Sequence, residues 1–85
     1  MEGMLKIDGY DEAVIGTVSR CGKDTLICYD YLKLIEITRD NSEPKMSYEE
    51  AMEYVDFNIA GAWMGEGTPA IMYPQTLEEI EENID

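Results

Sequence analysis

Twice in its 85 residues this chain spells the same helix-opening phrase, Ser47-Tyr48-Glu49-Glu50 and Thr76-Leu77-Glu78-Glu79. In such a phrase the first hydroxyl accepts from the amide three residues on, and the Glu there reaches back to the cap's own amide. Two of the donors that a helix start leaves bare are thereby satisfied. Few local signals fix an element's beginning so closely. Behind Ser47, residues Tyr48, Ala51, Met52, Val55 and Ile59 follow the i, i+3, i+4 spacing. They predict an apolar stripe, with Glu49, Glu50, Glu53 and Asp56 on the opposite side. Behind Thr76, Leu77, Ile80 and Ile84 are the apolar positions of a helix over 77–84, and Glu78, Glu79, Glu81 and Glu82 face water.

The remaining segments complete the plan. "DGYDEAVIGTVSR", 8–20, reads as a short first helix with Asp8 or Asp11 near its start, Ala13, Val14 and Val18 on an apolar side, and Gly22 as its stop. "TLICY", 25–29, has the β-branched and aromatic content of a buried strand. Asp30 caps a second helix over 31–39, whose apolar side holds Leu32 and Ile35 and is broadened by Leu34 and Ile37. "DNSEP", 40–44, is a turn cluster, and Pro44 takes the chain away from the helix. "PAIMYP", 69–74, is a short strand bracketed by prolines, which suits a sheet edge. The expected fold is α+β: a single compact domain, 1–85, with three to four short helices on a small two- or three-stranded sheet. At this length the chain builds one modest core, and a hydrophobic content of 45% argues against disorder.

Charge narrows the function. Nineteen acids stand against six bases, a net charge of −13, and the imbalance is uneven. Lys6, Arg20, Lys23, Lys33, Arg39 and Lys45 are all the bases there are, whereas 46–85 carries ten acids and no base. Nucleic-acid affinity comes from phosphate neutralisation by Lys and Arg, so direct nucleic-acid binding is excluded. Anionic membrane surfaces repel such a chain, and no apolar run approaches the roughly 20 residues that span a bilayer. The opening "MEGMLKIDGYDE" is acidic and broken by glycine, unlike a secretory leader, so the expected location is a cytoplasm. What this charge attracts is a basic partner.

The chemistry-bearing residues assemble into no catalytic pattern. Cys21 and Cys28 match no zinc or redox spacing, and the chain has no histidine to complete a metal site or to activate a thiol. "DNSEP" lacks the glycine and closing glutamate of a calcium loop. The glycines of "GAWMGEGTP", 61–69, lack the lysine of a phosphate loop, and Glu66 among them would repel phosphate. That stretch reads as a turn joining the Ser47 helix to the Pro69 strand. Trp63, with Met64, Phe57 and Tyr54, reads as core, because a small domain needs large rings to fill it. The other reading of the Trp–Met pair is an interface anchor. Neither an enzyme nor a cofactor or metal is expected.

"DEAVIG" (11–16), "YDY" with "IEI" (29–31 and 35–37), "MSYEEAMEYVDFN" (46–58) and "GAWMGEGTP" (61–69) together resemble a group of small uncharacterised proteins of bacteriophages, prophages and other mobile elements. The resemblance spans 8–73 and leaves the acidic helix over 76–84 outside it. It carries no activity and no catalytic residues, but it implies a bacterial host cell as the setting. The expected function is a non-enzymatic protein-binding module, in which the acidic faces imitate a line of phosphates and inhibit a host nucleic-acid-handling or defence complex. The partner-binding candidates are Glu49, Glu50, Glu53, Asp56, Trp63, Glu78, Glu79, Glu81 and Glu82, facing a basic host protein. The alternative is a structural or assembly accessory that homo-oligomerises through an apolar patch of Trp63 and Met64. The sequence leaves the oligomeric state open.

Overall fold

The computed structural model describes residues 4–19, 21–62, 64–65 and 67–83, so Trp63, Glu66 and Ile84 lie outside the described residues. Within them a three-stranded sheet and three helices form a small α+β arrangement, 19 Å across in its thinnest direction. That thickness holds about one helical layer against the sheet.

The largest departure from expectation lies at the start. The helix predicted over 8–20 is a single 3-10 turn, Asp11–Ala13, running into strand β1, Val14–Val18. Val14, Ile15, Thr17 and Val18 are β-branched and Gly16 lies among them, so a helix there gives up side-chain and backbone entropy that a strand spares. Beside it the chain offers a strand to pair with. β1 runs antiparallel to β2, Leu26–Asp30, matching Thr17 to Ile27 and Val18 to Leu26. Gly22, at φ +78, belongs to the turn between the two strands rather than to a helix end.

β2 is the central strand and the core's spine. Ile27 and Tyr29 join Ala13, Leu34, Ile35, Ala51 and Val55 in one buried cluster, and Cys28 is buried outside that cluster, as a two-residue period requires. The Tyr29 hydroxyl accepts from the Ile7 amide at 2.8 Å, so a fully buried ring keeps its polar end satisfied. Asp30 ends the strand and caps α1, Tyr31–Asn41, by accepting from the Leu32 amide at 3.2 Å. The buried line of α1 is Leu34, Ile35 and Thr38; Ile37 is half-buried and Leu32 is exposed, so the stripe keeps Ile35 but is rotated by roughly a quarter turn from the predicted one. Thr38 tolerates burial because its hydroxyl meets that of Tyr10 at 2.7 Å.

After a turn with a cis Glu43–Pro44 peptide, α2 covers Tyr48–Val55 and opens on the predicted capping box, with both reciprocal hydrogen bonds made. Its buried residues are Ala51 and Val55, packed towards α1 and the core, while Met52 and Ile59 are half-buried and Tyr48 is exposed. The helix then widens into a π turn, Asp56–Ala60. Gly61 closes it: a Cβ there would lie 2.9 Å from the Asp56 carbonyl oxygen, a distance only glycine permits. The following loop is stapled by Thr68, whose hydroxyl donates to the Gly65 carbonyl at 2.6 Å and accepts from the Met64 amide at 2.7 Å. It delivers β3, Ala70–Met72, which pairs parallel to β2 as a sheet edge. Finally Thr76 and Glu79 cap α3, Leu77–Asn83, as predicted.

Candidate functional site

Three consecutive residues at the start of the π turn, Asp56, Phe57 and Asn58, are all exposed, whereas Ile59 and Ala60 both turn partly inward. A wider turn holds more residues per turn, so each advances through a smaller angle and neighbours stay longer on one side. Here it carries two neighbours back to the body and leaves three in a row outside. Phe57 is 85% exposed, the most exposed large apolar side chain among the described residues. With Met46, Glu50, Glu53, Tyr54, Asp56 and Asn58 it lines an open depression of ≈ 670 Å³.

The surroundings of this depression are held in place. Glu50 is committed to the Ser47 amide at 3.0 Å, and Asn58 donates to the Tyr54 carbonyl at 3.2 Å. Asp56 accepts from the Tyr31 hydroxyl at 2.5 Å, and the Tyr31 ring packs on Tyr73 with centroids 4.5 Å apart. Burial, then the hydrogen bond to Asp56 and its charge, push the Tyr31 hydroxyl well above its ordinary range. Burial and then the Asp56 charge push Tyr73 upward as well. Asp56 is thereby oriented, tied to α1 from one side and open to solvent on the other. Glu53 is exposed on the same helix.

The sequence candidates divide accordingly. Glu50, Glu53 and Asp56 come together around one depression beside two exposed aromatic rings. Glu49 is exposed on α2 but does not line the depression, and neither do Glu78, Glu79, Glu81 and Glu82 of α3. Glu79 is engaged by the Thr76 amide and hydroxyl at 3.2 and 3.1 Å. Trp63 lies outside the described residues. Its neighbours overturn the expectation of a ring-filled core: Phe57 is on the surface, Tyr54 is 43% exposed and Met64 45%. Tyr29, Leu34, Ile35 and Val55 fill the core instead. Phe57 is the residue the sequence reading missed as a surface anchor. The signal was present, since Phe57 falls two residues after Val55 and two before Ile59, off the apolar stripe.

Elsewhere, Cys21 is exposed in the β1–β2 turn and Cys28 is buried in β2. Among the described residues no three Cys, Asp or Glu side chains gather into a metal-holding group, and no helix is long and apolar enough to cross a membrane. No protein-family model, no curated protein and no solved structure matches the chain.

Proposed function

We propose that this protein is a non-enzymatic binding module that docks on a basic partner through α2 and its π turn, and that it blocks a nucleic-acid-binding groove of that partner. The observation that carries the proposal is the 85%-exposed Phe57 set among Glu50, Glu53 and Asp56. A face serving only solubility needs charge alone, and an exposed phenyl ring works against it. An aromatic ring ringed by carboxylates has the composition of an interface anchor with a charged rim. It suits arginine in particular, whose guanidinium stacks on a ring while donating to carboxylates. The net charge of −13 steers the encounter, and the α3 carboxylates add to that field without joining the contact. The resemblance of four motifs to small phage and prophage proteins supports a host protein in a bacterial cytoplasm as the partner.

The test is affinity capture from a bacterial lysate at low salt, with wild-type protein and Phe57→Ala side by side, followed by competition with duplex DNA. The expected result is a DNA-binding protein that wild type retains, Phe57→Ala releases, and both salt and DNA displace. A retained partner that DNA leaves in place would refute the blocking role. Equal retention by the two proteins would refute the docking face.

A further inference from the structure

The sheet has two free edges, and they are guarded differently. β3 is three residues long and stands between Pro69 and Pro74, two of the devices by which edge strands avoid further pairing. β1 is five residues long, and from Ala13 to Ser19 it has no charged residue and no proline. All five of its residues are exposed, including Val14 at 38%, Ile15 at 52% and Val18 at 39%. Its one irregularity is a register shift between Val14 and Gly16, where Gly16 takes φ +147, a value that disfavours any side chain. The shift bends the Val14 end. Gly16, Thr17 and Val18 remain in regular register with β2, and among the described residues no strand lies on their far side.

The charges at the two ends of β1 indicate what pairs there. Asp11 and Glu12 precede the strand in an exposed turn, with Asp11 already paired to Lys6 at 3.3 Å, and in sequence Arg20 and Lys23 follow the strand ahead of a single acid, Asp24. When two copies pair antiparallel about a two-fold axis near Thr17, the acidic turn of one copy meets the basic turn of the other, and does so twice. Between these contacts lies only uncharged strand. The exposed carboxylates of α2 and α3 would instead oppose like charges in a second copy. We infer that β1 is a self-pairing edge, through which two copies join β1 to β1 in antiparallel fashion to make one six-stranded sheet. Ile15 and Val18 lose their exposure there, and Phe57 and the acidic helix faces stay free for a different partner. This association does not depend on the docking role of the π turn.

Sedimentation over a concentration series tests it. Wild type is expected to pass from monomer to dimer, and Ile15→Lys to weaken the dimer by about tenfold or more, because it puts a charge on an otherwise uncharged pairing edge. Phe57→Ala and Leu77→Ala are expected to leave the dimer intact. Added salt should strengthen it by screening two chains of −13, the reverse of its effect on docking to a basic partner, so the two proposals fail separately. Should Ile15→Lys fail to fold, oxidation of Thr17→Cys in a Cys21→Ser background decides, since residues facing across such an axis can form a disulfide. Intermolecular cross-linking supports the pairing. Absence of cross-links, monomer at every concentration, or a dimer lost on Phe57→Ala or on salt addition would overturn it.

Discussion

α2 and α3 begin alike and end differently. Each opens on a complete capping phrase, and each has two glutamates in its first turn and no base in its last. Yet α2 buries Ala51 and Val55, whereas every α3 side chain described is exposed, Leu77 by 70% and Ile80 by 38%. A cap settles where a helix begins, at a local gain of about 1 kcal/mol. Docking is decided by what the apolar stripe meets, because in proteins most helical stability comes from packing. The same contrast separates the two sets of carboxylates. Those of α2 are mounted on the core, oriented by Ser47 and Tyr31, and placed beside an exposed ring. Those of α3 add charge but line no part of the Phe57 depression.

The comparison is easiest to break at the buried stripe. Val55→Ala removes a fully buried side chain from the core and is expected to destabilise the fold by about 2 kcal/mol. Leu77→Ala should cost less than about 0.5 kcal/mol. Urea unfolding measures both, and equal shifts would mean that α3 packs as α2 does. Next in size is Phe57→Ala, expected to weaken partner binding by about tenfold or more, roughly 1.4 kcal/mol, while the urea midpoint stays near that of wild type. A large stability loss would identify Phe57 as structural.

The caps sharpen the contrast further. Ser47→Ala should lower global stability by about 1 kcal/mol, because α2 belongs to the cooperative unit. Thr76→Ala should reduce the helical circular-dichroism signal and leave the unfolding midpoint in place. A Thr76→Ala midpoint shift as large as that of Ser47→Ala would place α3 in the same unit.

The smallest effect concerns Tyr31 and Tyr73. Both are raised in the folded chain, so it holds these protons more tightly than the unfolded chain does. Their contribution is therefore fully present below the ordinary tyrosine pKa of about 10, and is lost as pH rises from there towards the folded values. Thermal melts across this alkaline window should show a shallower decline for Tyr31→Phe than for wild type. Parallel declines would show that the Tyr31–Asp56 contact does not persist in solution.

What the sequence made legible follows from how local each signal is. The caps at Asp30, Ser47 and Thr76 need only neighbouring residues, and all three form as read. The proline-bracketed edge strand needs little more. Residues 14–18 depend on a partner twelve or so residues away, and a short amphipathic pattern alone favoured a helix until β2 was there to receive it. The candidate site was half legible. The spacing already placed Tyr54 and Phe57 off the stripe of α2, but the size of their rings drew them into the expected core. The π turn, which puts Asp56, Phe57 and Asn58 outside together, depends on the closure at Gly61 and leaves no periodic signal.

The central claim is that the π-turn face of α2, and not the acidic helix α3, makes contact with the partner. Calorimetric titration of the captured partner tests it directly with two neutralised forms, Glu53→Gln/Asp56→Asn and Glu78→Gln/Glu79→Gln/Glu81→Gln/Glu82→Gln. The account predicts that the two substitutions on the π-turn face weaken binding more than the four on α3. A larger loss of affinity from the α3 form would contradict it.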